Sequence, residues 1–394
     1  MSEFQLCTLR SFTKTDVIES WQSLIWTERY SAWGDFTLVI PSTPKSRKLL
    51  TNTTRLALNQ SNRVMVIETL TDAIDDDGAR MLTATGRSFE TILEDRVAMP
   101  AVASLTATPK WVLTGIPGDI ARLIFTTVCV SHSINVGDGI PGYTSGTLLP
   151  HGSIPEPADV VTISLDPATV YTSVKAVCDV YNLGFRIVVD FNTSKTYFEV
   201  YTGEDRTSDQ LLNEAVIFSK DLDNFKDQTI LQSTANVKNV AYVYAQNGAL
   251  AVYAPNTSTT VNGATRRALY VDASDIDTAA GSALTLQLTQ RGLQELSQYQ
   301  KVYMFDGQIS EYSKYVYGVD YNLGDIIEER DDDGNAAQLR VTEQIFVSDA
   351  EGDRSYPTLS LNTIVTPGTW ASWTPGETWS EQPPTEFWAN AQDT

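Results

Sequence analysis

Twice in this chain a run of alternating apolar residues breaks at Asp-Asp-Asp-Gly and resumes beyond it, once within residues 63–85 and again within residues 326–347. Asp-Gly supplies the positive φ values that a tight hairpin turn demands, so each string predicts an antiparallel strand pair. A chain carrying the same hairpin near both ends is expected to hold two related β-barrels there, with an α/β part inserted between them.

The residues around the first hairpin read as β. Residues 4–10 alternate, residues 21–30 are rich in aromatic and branched side chains, and Gly34-Asp35 turns the chain into residues 36–40, closed by Pro41. Residues 55–59 and 63–70 precede the Asp-Gly turn. Gly86-Arg87-Ser88 then opens a short predicted helix over residues 89–96, with Ser88 as N-cap and Glu90 in its first turn.

The middle changes character. Pro117-Gly118-Asp119 starts a helix predicted to run to about Val130, with Ile120, Leu123, Ile124 and Val128 on one face. A Gly/Pro/Ser-rich stretch over residues 131–157 reads as an extended loop. A second helix is predicted over residues 167–181, ending near Gly184, and a hairpin over 185–191 and 197–201. The β pattern then returns at 216–219, at 237–245 and 250–253 around Asn247-Gly248, and at 268–271. One helix is predicted at 288–300, ahead of the hairpin strands 326–330 and 338–347.

Charge narrows the function. The 49 Asp+Glu against 28 Lys+Arg leave a net charge of −21 over 394 residues. That balance opposes general nucleic-acid binding, which needs a basic footprint, and attachment to anionic membranes. Cys7, Cys129 and Cys178 are odd in number and far apart, so neither a disulfide framework nor a zinc ribbon is expected. The N-terminus lacks a basic region followed by an apolar one, and the longest apolar stretch is interrupted by Gly118, Asp119 and Arg122. Neither a signal peptide nor a membrane segment is therefore expected.

Catalytic and metal motifs fail on spacing. An EF-hand loop wants glycine sixth and glutamate twelfth, but counting from Asp331 gives Ala336 and Thr342, and counting from Asp75 puts Arg80 sixth. His132 and His151 sit in the Gly/Pro-rich loop without a second ligand at helical spacing. No Gly-x-Ser-x-Gly elbow or phosphate loop is present. The chain is expected not to be an enzyme and to need no cofactor or metal. Four of its eight tryptophans, Trp370, Trp373, Trp379 and Trp388, crowd the last 29 residues. Aromatic side chains in a Pro-rich segment read as anchors on a neighbouring protein, with sugar stacking as the alternative.

Three stretches together resemble one family: residues 21–41 (WQSLIWTERYSAWGDFTLVIP), 86–97 (GRSFETILEDRV) and 321–342 (YNLGDIIEERDDDGNAAQLRVT). They are similar to the hub, or tail-associated, protein at the tip of long-tailed bacteriophage tails. The resemblance implies two β-barrel tube domains per chain with smaller α/β domains attached, over residues 1–110 (first barrel), 111–222 (α/β insert), 223–365 (second barrel with an inserted helix) and 366–394 (Trp/Pro-rich tail). Its fold-motif residues are Gly34, Asp35, Gly78, Gly86, Arg87, Gly324, Asp325 and Gly334.

The same resemblance implies a homotrimer whose six barrels match a sixfold ring, with the distal tail protein or tail tube, the tape measure protein and other tail-tip or receptor-binding proteins as partners. DNA would pass through without specific binding, and the protein would be assembled in the host cytoplasm and reside at the virion's tail tip. A tail-tip receptor for cell-wall carbohydrate is the alternative, and a cell-wall hydrolase a weaker one. Some relatives carry a peptidase or glycan-processing domain, but the stretch after the last predicted barrel is too short for one.

The anchoring reading of the tryptophans is testable. Deleting the chain after Thr366 is expected to weaken incorporation into tails while the melting temperature of the purified protein stays unchanged. Undiminished incorporation would refute the anchor.

Overall fold

In a computed structural model of the chain, the described residues are 4–74, 78–99, 111–131, 136–219, 221–254, 257–276, 279–299, 302–309, 314–330 and 336–361. The fold is mostly β. Thirteen strands form one continuous sheet, and the pattern that builds it is plain in Asp35–Pro41, where Phe36, Leu38 and Ile40 are buried and the residues between them are not.

From one edge inward, the sheet runs Phe225–Ser233, Val302–Ile309, Gly352–Leu361 and Ala336–Asp349. It continues through Ser23–Arg29, Asp35–Pro41, Arg80–Ser88, Val64–Ile74 and Arg55–Leu58 to Leu6–Arg10 and the far edge, Thr13–Ile18. The long strand Ala336–Asp349 holds the two halves together. Its first residues pair with Ile326–Arg330 and its last with Ser23–Arg29, while Gly352–Leu361 runs along its other side.

The barrel expectation needs correction, because the sheet does not close. The N-terminal half curls until the Phe4 N–H donates to Asp353 Oδ2 at 2.9 Å and the Trp21 indole donates to Ser348 Oγ at 2.9 Å. Side chains and single bonds span that seam instead of a strand ladder. The curl encloses a core of Leu6, Leu24, Trp26, Phe36, Leu38 and Phe346. A smaller core of Phe218, Tyr321, Ile327, Leu339 and Leu359 lies under the other half.

Both Asp-Gly segments lie in hairpins of equal connection length. Ile74 faces Arg80 in the first, and Arg330 faces Ala336 in the second. Gly78 sits at φ +80° in open space; Asp75–Asp77 and the string from Asp331 to Gly334 lie outside the described residues. The neighbours of the hairpins differ. Val64–Ile74 pairs antiparallel with Arg55–Leu58, whereas Ile326–Arg330 pairs parallel with Ile217–Ser219.

Two α/β units project from the sheet. In the first, Pro117–Phe125 continues as a π-turn over Thr126–Val130, and Phe125 stacks on Phe198 at 4.0 Å. Helix Val170–Val180 is capped by Thr169 and ends at Asn182, which takes the left-handed conformation at φ +56°. Gly184, expected at that end, instead starts the strand Gly184–Asp190, where a Cβ would lie 2.3 Å from the Tyr30 ring. In the second unit, Val240–Ala245, Gly248–Tyr253 and Ala268–Asp272 form a separate sheet under helix Ser282–Ser297. The helix expected within residues 223–365 thus packs on a three-stranded sheet of its own. No helix among the described residues is long and apolar enough to cross a membrane.

Ser88 does not cap the following segment. Its Oγ accepts from the Gly34 N–H at 2.8 Å, and Phe89–Leu93 is a 3₁₀ turn. Beside it the backbones approach closely: a Cβ on Gly86 would sit 1.9 Å from the Val66 carbonyl oxygen and 2.9 Å from the Glu68 nitrogen. Gly86→Ala is therefore expected to destabilise the protein by about 2 kcal/mol through forced separation of the two strands. Gly115→Ala, whose Cβ would meet only Ile120 at 3.6 Å, serves as a near-neutral control. Equal urea midpoints for the two variants would contradict this.

Candidate functional site

Among the described residues, a buried polar junction lies where the two halves of the sheet and the first α/β unit meet. It forms where Ala336–Asp349 changes partner. Arg340 still faces Ile326, Glu343 already faces Arg29, and the Tyr30 N–H donates to the Thr342 carbonyl between them at 2.9 Å.

Arg340 is 2% exposed and joins all three parts. Its guanidinium donates to the Thr202 carbonyl at 2.6 Å, to the Gly324 carbonyl and to the Tyr30 hydroxyl at 3.3 Å, and lies 5.1 Å from the Tyr30 ring. The Tyr30 hydroxyl in turn shares its one proton between the carbonyls of Asn182 and Tyr201, at 3.0 and 3.1 Å. Burial pushes the Tyr30 phenol well above its ordinary pKa against the pull of Arg340, so it remains a neutral donor. Gly324 stands at φ +92°, and a Cβ there would lie 2.5 Å from the Tyr30 ring.

Three arginine–carboxylate pairs surround this point. Arg63 pairs with Glu90, both almost wholly buried, and Glu90 also accepts from the Ile187 N–H at 2.9 Å. Arg186 and Glu199 face each other across a hairpin at 2.7 Å, with the guanidinium 4.1 Å from the Tyr201 ring. Asp325 accepts from Arg206 Nε at 2.9 Å and from the backbone N–H groups of Glu204 and Asn322 at 2.7 and 2.9 Å. Glu28 is 2% exposed and accepts from Ser61 and, at 2.9 Å, from the Tyr317 hydroxyl. Burial raises its carboxyl above the ordinary range, with Arg63 working against that shift.

A cavity of about 240 Å³ opens among Glu28, Arg63, Arg186, Tyr201, Arg206 and Asp325. Arg63, Arg186 and Arg206 each hold a carboxylate, and no group of three or more potential metal ligands gathers among the described residues. The arrangement acts as a joint. Removing one partner of a buried pair typically costs about 3–5 kcal/mol, so these pairs penalise any other placement of the units they connect.

The motif residues anticipated from sequence fall in two places. Gly34, Asp35, Gly86 and Arg87 gather around Trp33: Asp35 pairs with Arg29, Arg87 pairs with Glu68 and Glu94, and the Arg87 guanidinium lies 4.9 Å from the Trp33 ring. Gly324 and Asp325 enter the junction itself. Gly78 stands apart at its hairpin tip, and Gly334, Trp370, Trp373, Trp379, Trp388 and His132 lie outside the described residues. Sequence reasoning missed Glu28, Arg63, Arg186, Glu199 and Arg340, and gave Glu90 only a place in the first turn of a helix. One signal was available: Arg186 and Glu199 are the charges in the interiors of their strands, and hairpin register sets them opposite each other.

Comparison with known proteins gives a consistent likeness. A family model described as "Siphovirus ReqiPepy6 Gp37-like protein" matches residues 10–359. The tail protein from Neisseria meningitidis MC58 is similar in fold, with a TM-score of 0.56 and 14% identity over 93% of this chain and 98% of that one. A 43 kDa tail protein of prophage MuSo2 from Shewanella oneidensis gives 0.55 and 12%, over 91% and 98%. No curated protein sequence matches the chain.

The raised carboxyl of Glu28 has a signed consequence. Its proton is bound more tightly in the folded than in the unfolded chain, so its contribution favours folding at low pH and is lost as pH rises through the folded pKa. Glu28→Gln removes that dependence. Relative to the variant, the native protein is expected to gain stability as pH falls from neutral toward the ordinary carboxyl range, read from paired urea midpoints. A difference independent of pH would exclude the titration.

Proposed function

The chain belongs to the Siphovirus ReqiPepy6 Gp37-like protein family, a family of siphovirus tail proteins, and from that premise we propose that it is the trimeric hub of the phage tail tip. The observation that carries this reading is the single open sheet. Both halves of the chain contribute to it, and among the described residues its outer strands, Thr13–Ile18 and Phe225–Ser233, each pair on one side only. Free edges in so large a sheet invite pairing with another copy, and a head-to-tail contact that closes after three copies makes a ring.

Each copy would bring two β units, so a trimer presents six to the distal tail protein or tail-tube ring. The α/β units would lie outside that ring. The hub closes the tube, with the tape measure protein above it, and opens for DNA. The net charge of −21 supports this role, because a lumen rich in Asp and Glu repels phosphate and lets a duplex slide. The arginines of the junction are held by carboxylates or carbonyls and add little to phosphate binding.

A second reading, a tail-tip receptor for cell-wall carbohydrate, is favoured by one feature. Tyr242, Tyr244 and Tyr270 are 36%, 51% and 66% exposed on the sheet face opposite helix Ser282–Ser297. Tyrosine rings standing on a flat sheet suit stacking on sugar faces. Binding of the purified protein to a glycan array would favour it over the hub.

The hub reading predicts a particle of about 130 kDa by light scattering, three times the 43.4 kDa chain, and threefold density at the tail tip. A monomer at every concentration tested, together with sixfold density for this chain, would overturn it.

A further inference from the structure

Leu211 and Leu212 are 99% and 89% exposed, the two most exposed large apolar side chains of the described residues. They do not belong to a loose loop. The Gln210 carboxamide makes four hydrogen bonds, donating to the carbonyls of Thr207 and Asn213 and accepting from the N–H groups of Leu212 and Asn213, at 2.7–3.0 Å. Asn213 donates to Glu204 Oε2 and the Asp205 carbonyl, both at 3.0 Å. Ser208 donates to Glu328, and Gln338 donates to Asp209 at 2.8 Å. The loop is therefore fixed to the strands Ile326–Arg330 and Ala336–Asp349 and to the segment that enters the buried junction.

A rigid loop that offers adjacent leucines to water gains nothing for its own fold. It is preorganised for burial elsewhere, since binding would not have to order it. The rim is acidic: Asp209 and the exposed Glu214 flank the leucines, and Glu204 and Glu328 lie behind them. The nearby cations are held, Arg206 by Asp325 and Arg330 by Glu328.

We propose that residues 207–214 form a knob whose two leucines insert into an apolar socket rimmed by Lys and Arg on a different tail protein. A second copy of this chain is the poorer fit, because a net charge of −21 sets acid against the acidic rim of the knob. Among the described residues, the hollow beside the sheet edge at Phe4, Val17, Ile18 and Trp21 carries Glu19 and Asp353 on its rim. Acid would face acid there. The proposal rests on the tail-protein reading and adds a contact to it.

The test uses assembled tails. A photoreactive benzophenone amino acid at position 212 is expected to cross-link to one other tail protein, at a site that peptide mapping shows to be apolar with Lys or Arg around it. A Leu211→Ser/Leu212→Ser chain is expected to bind that purified protein at least tenfold more weakly with an unchanged melting temperature. Glu214→Lys is expected to weaken binding more at low salt than at high salt. Cross-linking to another copy of this chain, no cross-link, or undiminished binding by the double variant would overturn the knob while leaving a tail protein. Absence of the native chain from tails would overturn both.

Discussion

The structure depends on one buried cation. Arg340 occupies the point where a single strand stops pairing with one half of the sheet and starts pairing with the other, and its bonds run to Tyr30, Thr202 and Gly324. Those acceptors come from three parts of the chain that share no continuous backbone nearby. A buried guanidinium is tolerated only when its donors are met, so the three parts must arrive together or leave a charge stranded. The Arg63–Glu90, Arg186–Glu199 and Arg206–Asp325 pairs repeat that requirement around it. Hydrophobic cores supply the bulk of the packing, one of them running from Leu9 and Val64 in the N-terminal strands to Ile124 and Val174 in the first α/β unit, and the polar joint adds directional bonds that fix how the units sit.

That division explains how much of the fold was legible. Local patterns were readable. The hairpins around Gly78 and after Arg330, the hairpin pairing Arg186 with Glu199, and the helices beginning near Pro117 and Thr169 follow from alternation, turn chemistry and capping. Each depends on residues within a few positions of one another. The barrel expectation erred at the next level. A repeated hairpin specifies its own two strands but not what lies beside them, and here one neighbours an antiparallel strand and the other a parallel one.

The joint was harder to read for the same reason. Arg29 meets Glu343 and Arg63 meets Glu90 only after the sheet is assembled, and nothing in local spacing marks either pair. Gly324 and Asp325 stood out as a turn. Their greater role, in close contact with Tyr30 and as acceptor for Arg206, needs the tertiary fold to become visible. Gly184 illustrates the converse: a glycine that reads as a helix end is required because the Tyr30 ring packs where a side chain would be.

The shared strand also sets an order of events at the ribosome. Arg29 waits for a partner 314 residues further along the chain. At about 5–20 residues per second, synthesis leaves the strand Ser23–Arg29 without that neighbour for roughly 15–60 s. During that interval it is an unprotected edge rich in aliphatic and aromatic side chains, of the kind that pairs with other nascent chains. The N-terminal half can collapse early around Trp26 and Phe36, but its boundary with the rest is sealed only when Ala336–Asp349 emerges. Crowded polysomes are where this architecture is most exposed to misassembly.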